Sequence, residues 1–345
     1  MVPMVSSFNV VSQLGGAVIR KGAQAAARAR SWVEVIVPDH ASLAGSDGPV
    51  RRRQGPARRV SFVRGLVAGS RAVKVAYERQ GSGEPVVLLH GIGLHRRSWD
   101  AVVPFLTAER EVIALDLPGF GQSPDLPESL SHDLPTVVAA LEKVFAALGL
   151  ERPHVVGHSL GGLIALRLAQ AGCARSVTAI APAGFWNEAE RRYTFAMLAA
   201  ARNGARLLPE TVLLRLSRTA MGRAALAGML YGDPDSCPPE AVTVALRAMR
   251  DAAGFMATLR AGRVPGLFSG DIPDVPVTIV WGTKDRLLPG HQAARVKAEI
   301  PQARLVQLPG CGHVPLYDAP DLIARIVLTT TESGAVVPAV ARGKR

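Results

Sequence analysis

The chain has 345 residues, 48% of them hydrophobic, which is enough to build the core of one α/β domain with an insertion and excludes disorder throughout. Three cysteines, Cys173, Cys237 and Cys311, make neither a disulfide framework nor a metal-ligand spacing, and they point to a reducing compartment. The net charge of +12 does not make the chain a nucleic-acid binder: residues 1–69 hold ten Lys and Arg against three Asp and Glu, and 184–268 hold eleven against seven, leaving a near-neutral body with 5% aromatic residues, too few to stack bases.

In chain order, residues 1–60 are rich in Ala, Gly and Arg and contain "RRRQGPARR" at 51–59, which predicts a basic, flexible extension with one helix near 10–35. Such an arm offers a weak contact to anionic membranes, although plain solvation accounts for it as well. No 18-residue apolar run and no export signal is readable, so the expectation is a soluble, cytoplasmic chain, associated with membrane at most through the arm. From residue 61, "SFVRGLVAG" and "RAVKVAYER" read as a hairpin turning at Gly69 and Ser70.

Short continuous apolar runs follow at 85–91, 111–119, 154–159, 176–184, 275–282 and 303–310, the kind that parallel strands need when both faces are covered. Helical spacing separates them, as in Val137, Val138, Leu141, Val144, Phe145 and Leu148 before Gly149. This alternation predicts βαβ units and a parallel sheet flanked by helices. The long interruption at 184–268, punctuated by Pro209, Pro234, Pro238 and Pro239, reads as a helical lid inserted before the last two core strands. Its five methionines (197, 221, 229, 249 and 256) are expected mainly as core. The predicted division is extension 1–60, core 61–183, lid 184–268, core 269–330 and flexible tail 331–345.

The chemistry centres on "HVVGHSLGG" at 154–162, where Ser159 stands at a strand-to-helix turn bracketed by Gly157 and Gly161 as G-x-S-x-G. The turn is sharp, so its neighbours two positions away must be nearly free of side chain, and the helix N-terminus beyond favours developing negative charge. A serine hydroxyl is a weak nucleophile that needs a base, and the base needs a group to hold its tautomer. His313, displayed in "LPGCGHVPLYDAP" at 308–320, is the predicted base, and Asp285 in "WGTKDRLLP" at 281–289 the predicted acid; the order nucleophile, acid, base follows three separate strands. The backbone amides of Leu160 and of Ile92, in "HGIG" at 90–93, are the predicted oxyanion donors, with His90 ordering that loop. His158 is expected to point to the side opposite Ser159 and bond to backbone, His95 and His132 to open surface helices, and His154 to start a strand. No metal and no cofactor is expected.

With "HGIG", "DLPGFGQS" at 116–123, "GHSLGG", "WGTKD" and "GCGHVPLYDAP", the chain resembles the α/β-hydrolase superfamily over roughly 61–328, in its lid-bearing esterase, lipase and peptidase-like branch. The resemblance implies a mostly parallel eight-stranded sheet carrying an acyl-serine intermediate, structural roles for Asp116 and Ser123, and a packing role for Trp99. A serine nucleophile sets the chain apart from dehalogenases and epoxide hydrolases of the fold, which use aspartate, and carbon–carbon hydrolases usually carry Asn where His158 stands. The expected function is a cofactor-independent serine hydrolase cleaving a small-molecule ester with an apolar acyl group. An acyltransferase, a carbon–carbon hydrolase and a non-turnover binding protein of the same fold are the alternatives.

Overall fold

The computed structural model describes residues 60–67, 71–264, 266–272 and 274–333. The basic extension before residue 60, with its expected helix, and residues 334–345 lie outside them. Eight strands form one sheet: β1 (Ser61–Val67), β2 (Arg71–Gln80), β3 (Pro85–Leu89), β4 (Glu111–Leu115), β5 (His154–His158), β6 (Ser176–Ile180), β7 (Val277–Gly282) and β8 (Arg304–Leu308). Their order is β1-β2-β4-β3-β5-β6-β7-β8. The expected hairpin pairs β1 with β2 antiparallel, β2 runs antiparallel to β4, and every later pair is parallel.

The apolar runs make strands because each feeds two cores at once. Successive side chains leave a strand on opposite faces. Val87 and Leu89 of β3 join one buried cluster, with Leu141 and Val144 of α2 (Leu134–Ala147) and Leu163 and Leu166 of α3 (Leu160–Gln170). Val86 and Leu88 join the other, with Leu106 of α1 (Val103–Leu106) and Ile323 and Val327 of α10 (Pro320–Ser333). Helix α10 continues through Ser333, so residues 331–333 are helical, and the rest of the expected tail lies outside the described residues. Helix α2 starts where Asp133 accepts from the Thr136 amide at 2.8 Å and stops at Gly149, whose φ of 70° favours a residue without Cβ.

Among the described residues, five helices stand between β6 and β7: α4 (Glu188–Leu207), α5 (Glu210–Ser217), α6 (Ala220–Ala227), α7 (Pro239–Asp251) and α8 (Phe255–Ala261); α9 (Gln292–Glu299) follows β7. A reciprocal capping box between Asn187 and Glu190 opens α4, and prolines 209, 238 and 239 sit at the starts of α5 and α7, where a missing N–H costs nothing. Met197, Met229 and Met256 pack against the core as expected, but Met221 is 84% exposed.

One electrostatic feature was not legible in the sequence. Arg96, in a 3-10 turn (Arg96–Trp99), is only 4% exposed, and its guanidinium pairs with Glu78 of β2 at 3.0 Å and with Asp116 just past β4. Asp116 also accepts from the Arg96 and Gln122 amides at 2.7 and 2.8 Å, while Ser123 bridges the Asp116 carbonyl and the Ala76 amide. The cluster nails the segment after β3 to the sheet edge. Trp99, fully buried, packs as expected. Replacing Arg96 with Met keeps the volume but strands two buried carboxylates, so Arg96→Met is expected to cost about 3–5 kcal/mol of unfolding free energy. Denaturant titration checks this, and an unchanged midpoint would show that the carboxylates find other partners.

Candidate active site

Strand β5 delivers Ser159 into a conformation that side-chain-bearing residues rarely adopt, φ 53° and ψ −112°. A Cβ on Gly157 would lie 2.0 Å from the Gly161 carbonyl oxygen, and one on Gly161 would lie 2.3 Å from the Leu89 carbonyl oxygen, so both brackets must be glycine. The strain, about 1–3 kcal/mol for such a residue, is held by backbone bonds from the Ser159 amide to Ile180 (2.8 Å) and from the Ala183 and Leu163 amides to the Ser159 carbonyl (3.1 Å each).

Asp285 follows β7 in a short loop with its carboxylate buried. One oxygen accepts from the Leu287 and Leu288 amides at 3.0 and 2.7 Å, and the other faces His313 Nδ1 at 2.8 Å. A carboxylate bonded in this way only accepts, so Nδ1 carries the proton and Nε2 is left as the basic nitrogen of the ring. The loops carrying the pair interlock: the Lys284 amide donates to the Cys311 carbonyl at 2.8 Å, and a Cβ on Gly282 would lie 2.3 Å from the Gly312 carbonyl oxygen. Ser159 and His313 line one small cavity, together with Leu94, Leu230 and Met249.

The "HGIG" loop passes directly over the serine, since a Cβ on Gly91 would come within 3.2 Å of the Ser159 Cβ. Its order comes from His90, whose Nδ1 donates to the Gly91 carbonyl at 2.8 Å and whose Nε2 accepts from the Leu117 amide at 2.9 Å. Among the described residues, the Ile92 and Leu160 amides have no hydrogen-bond partner, and both residues line the pocket that Ser159 opens into. That pocket encloses about 600 Å³, open mouth included, and its wall is apolar, with Leu163 of α3, Phe195 and Leu198 of α4, Leu259 of α8, and Leu267.

Three expectations about histidines are corrected here. His158 bonds to backbone as expected, through Nε2 to the His313 carbonyl at 2.9 Å, but it does not point away: its ring lies 4.9 Å from that of His313 and lines the same cavity. His132 does not simply open a surface helix; it pairs with Asp125 at 2.9 Å and edges the apolar pocket. His95 precedes the 3-10 turn and is half-buried rather than on an open surface. These placements depend on the insert and on loops far away in sequence, which periodicity does not report.

Asp318 had no sequence signal either. Its carboxylate accepts from the Gly312 amide at 2.8 Å and from the Gly232 and Asp233 amides at 2.9 and 3.2 Å, while the Val314 amide donates to the Leu230 carbonyl at 2.8 Å. The segment between α6 and α7 is thus tied to the loop bearing His313. Burial pushes the thiol of Cys311 up to about 12 and that of Cys237 up to about 11, and raises that of Cys173. Among the described residues, no group of three or more His, Cys, Asp or Glu side chains is placed to hold a metal ion, and no helix is long and apolar enough to cross a membrane.

A model of the alpha/beta hydrolase family matches residues 86–326. The dihydrolipoyllysine-residue acetyltransferase component of the acetoin cleaving system of Pseudomonas putida is 30% identical over 304 residues, covering 86% of this chain and 75% of that one. The pimeloyl-acyl-carrier-protein methyl ester esterase of Nitrosomonas europaea is 28% identical over 261 residues, covering 71% and 94%. Among solved structures, a bacterial membrane phospholipase A shares the fold with a TM-score of 0.62 at 24% identity, over 81% of this chain and 87% of that one. The chain belongs to the alpha/beta hydrolase family.

Two outcomes follow from this geometry. Asp318→Ala removes the acceptor of three amides and is expected to cost about 1–3 kcal/mol in denaturant unfolding; an unshifted midpoint would mean the tie carries no load. Burial holds the pKa of His90, His154 and His158 below the ordinary 6.5. The unfolded chain therefore binds more protons, and stability present above pH 6.5 is lost as pH falls toward the folded-state values, by up to about 1.4 kcal/mol per pH unit for each histidine. Unfolding curves at pH 7.5 and 5.5 are expected to show the drop, and equal stability at both would contradict it.

Proposed function

We propose that the protein is a serine hydrolase that cleaves carboxylic esters with an apolar acyl group through an acyl-enzyme on Ser159. The observation that carries this reading is the buried Asp285–His313 hydrogen bond beside a cavity shared with a strained serine. His313 Nε2 takes the proton as Ser159 Oγ attacks the carbonyl carbon, and Asp285 stabilises the imidazolium and fixes its tautomer. The Ile92 and Leu160 amides, which have no partner among the described residues, receive the oxyanion. Collapse breaks the carbon–oxygen bond, His313 returns the proton to the departing alkoxide, and water activated by the same nitrogen then releases the acid.

The acyl chain lies in the apolar pocket, where each buried methylene contributes about 0.8 kcal/mol. The helices between β6 and β7 act as the lid, because α4 and α8 supply one wall of that pocket. The esterase relative in Nitrosomonas acts on a methyl ester by its name, which agrees with ester chemistry.

A fluorophosphonate probe is expected to label Ser159, and the label is expected to vanish in Ser159→Ala. Asp285→Asn keeps size but favours the wrong tautomer, a change that in serine proteases lowers kcat by about 10⁴; a loss on the order of 10²–10⁴ is expected here, measured with a short-chain ester. Labelling that persists in Ser159→Ala would remove the nucleophile assignment, and a tenfold or smaller loss in Asp285→Asn would mean that another carboxylate orients the base.

A further inference from the structure

Besides the serine itself, three side chains lining the pocket that Ser159 opens into carry hydrogen-bond acceptors: His132, Thr194 and Thr258. Thr194 is only 2% exposed, and its hydroxyl already donates to the Leu287 carbonyl at 3.2 Å. His132 and Thr258 are half-buried and face each other, His132 Nδ1 lying 3.3 Å from Thr258 Oγ1. Neither lines the smaller cavity that Ser159 shares with His313, so they meet a bound substrate along its chain and not at the reacting carbonyl.

The pair is anchored on its far side. His132 Nε2 faces the Asp125 carboxylate at 2.9 Å, and Asp125 also accepts from the Leu126 amide at 2.9 Å. The carboxylate favours the imidazole proton on Nε2, which leaves Nδ1 an acceptor, so the Thr258 O–H donates to it. This commits the hydroxyl proton and leaves the lone pairs of Thr258 Oγ1 without a donor among the described residues. The succession Asp125, His132, Thr258 thus fixes the polarity of the spot, which accepts a hydrogen bond and has none to give. Backbone holds the spot in place: the Gly254 amide donates to the Gly119 carbonyl at 3.0 Å, and a Cβ on Gly254 would lie 2.9 Å from the His132 ring.

We infer that Thr258, held by His132 and Asp125, selects an acyl chain that carries a hydroxyl group along its length, with that hydroxyl donating to Thr258 Oγ1. The inference rests on the ester-hydrolase reading and narrows its acyl half from a plain hydrocarbon chain to a hydroxylated one. A plain chain laid over Thr258 strips water from an acceptor and offers no donor in return, whereas a hydroxyl restores the bond. An oxo group at the same carbon can only accept, so it sets lone pairs against lone pairs. Leu134 and Leu259, beside His132 and Thr258 in the lining, keep the rest of the chain in apolar contact.

The test uses methyl esters of decanoic acid on the full chain and on Thr258→Val and Thr258→Ser: the plain ester, esters with one hydroxyl at successive carbons, and the oxo ester at the carbon where the hydroxyl serves best. Val keeps the shape of threonine and removes the acceptor, whereas Ser keeps the acceptor. The unaltered protein is expected to show, at one carbon or two adjacent ones, a higher kcat/KM for the hydroxy ester than for the plain and oxo esters. The ratio of hydroxy to plain ester is expected to fall at least tenfold in Thr258→Val and to be kept in Thr258→Ser, with fluorophosphonate labelling of Ser159 reporting an intact site. A preference for the plain ester at every carbon, a preference for the oxo ester, or a ratio left unchanged by Thr258→Val would each overturn the inference, the last by showing that the three residues only tie the segment before α2 to α8. Failure to turn over any of the esters would instead overturn the ester reading beneath it.

Discussion

At the C-terminal edge of the sheet, main chain packs on main chain with no Cβ between. Gly157 meets the Gly161 carbonyl, Gly161 meets Leu89, Gly282 meets Gly312, and Gly232 meets Gly310 and Gly312, in each case closer than a side chain would allow. These contacts set where β5, β7 and β8 release Ser159, Asp285 and His313. They also explain how a serine is kept at positive φ, because the surrounding backbone bonds leave it no relaxed alternative. Widening any one of these contacts by a methyl group would move a loop that the site depends on.

The insert between β6 and β7 is part of this arrangement rather than an appendage. Its Leu230–Gly232 segment is bound to the His313 loop through the Val314 amide and the Asp318 carboxylate, and Arg286, one residue past Asp285, donates to the Gly228 carbonyl at 2.7 Å. Movement of the insert and placement of the Asp285–His313 pair are therefore mechanically coupled. The same helices supply walls to the apolar pocket, so the lining of that pocket and the support of the histidine draw on one piece of chain.

Electrostatics divides the region into dry and wet parts. Arg96 pairs with two buried carboxylates just behind the "HGIG" loop, and the Arg96 and Gln122 amides donate to Asp116 as well, so both carboxylates keep partners where the loop lies against the sheet. Next to it, Arg97 faces outward into an open cleft between the 3-10 turn and α7. Adjacent arginines thus serve opposite ends of the problem, one holding the scaffold under the loop and the other lining an open space.

The sequence by itself determined the strands, the antiparallel entry hairpin, the place of the helical insert, and the fact that Ser159, Asp285 and His313 each follow a strand at the same edge. Those signals are local: alternation of apolar runs with helical spacing, prolines at helix starts, and glycines two residues either side of a serine are all complete within a few neighbouring positions. Only the tertiary structure decided that His158 turns toward His313, that His132 edges the apolar pocket, that Arg96 is buried between Glu78 and Asp116, and that Asp318 ties the insert down. Each of these joins groups distant along the chain, as Gly232 to Asp318 across 86 residues, and a lone His, Arg or Asp reads in sequence like any surface residue. Such a residue's role is set by which backbone amides and charges the folded chain brings within about 3 Å, and no periodic pattern encodes that distance.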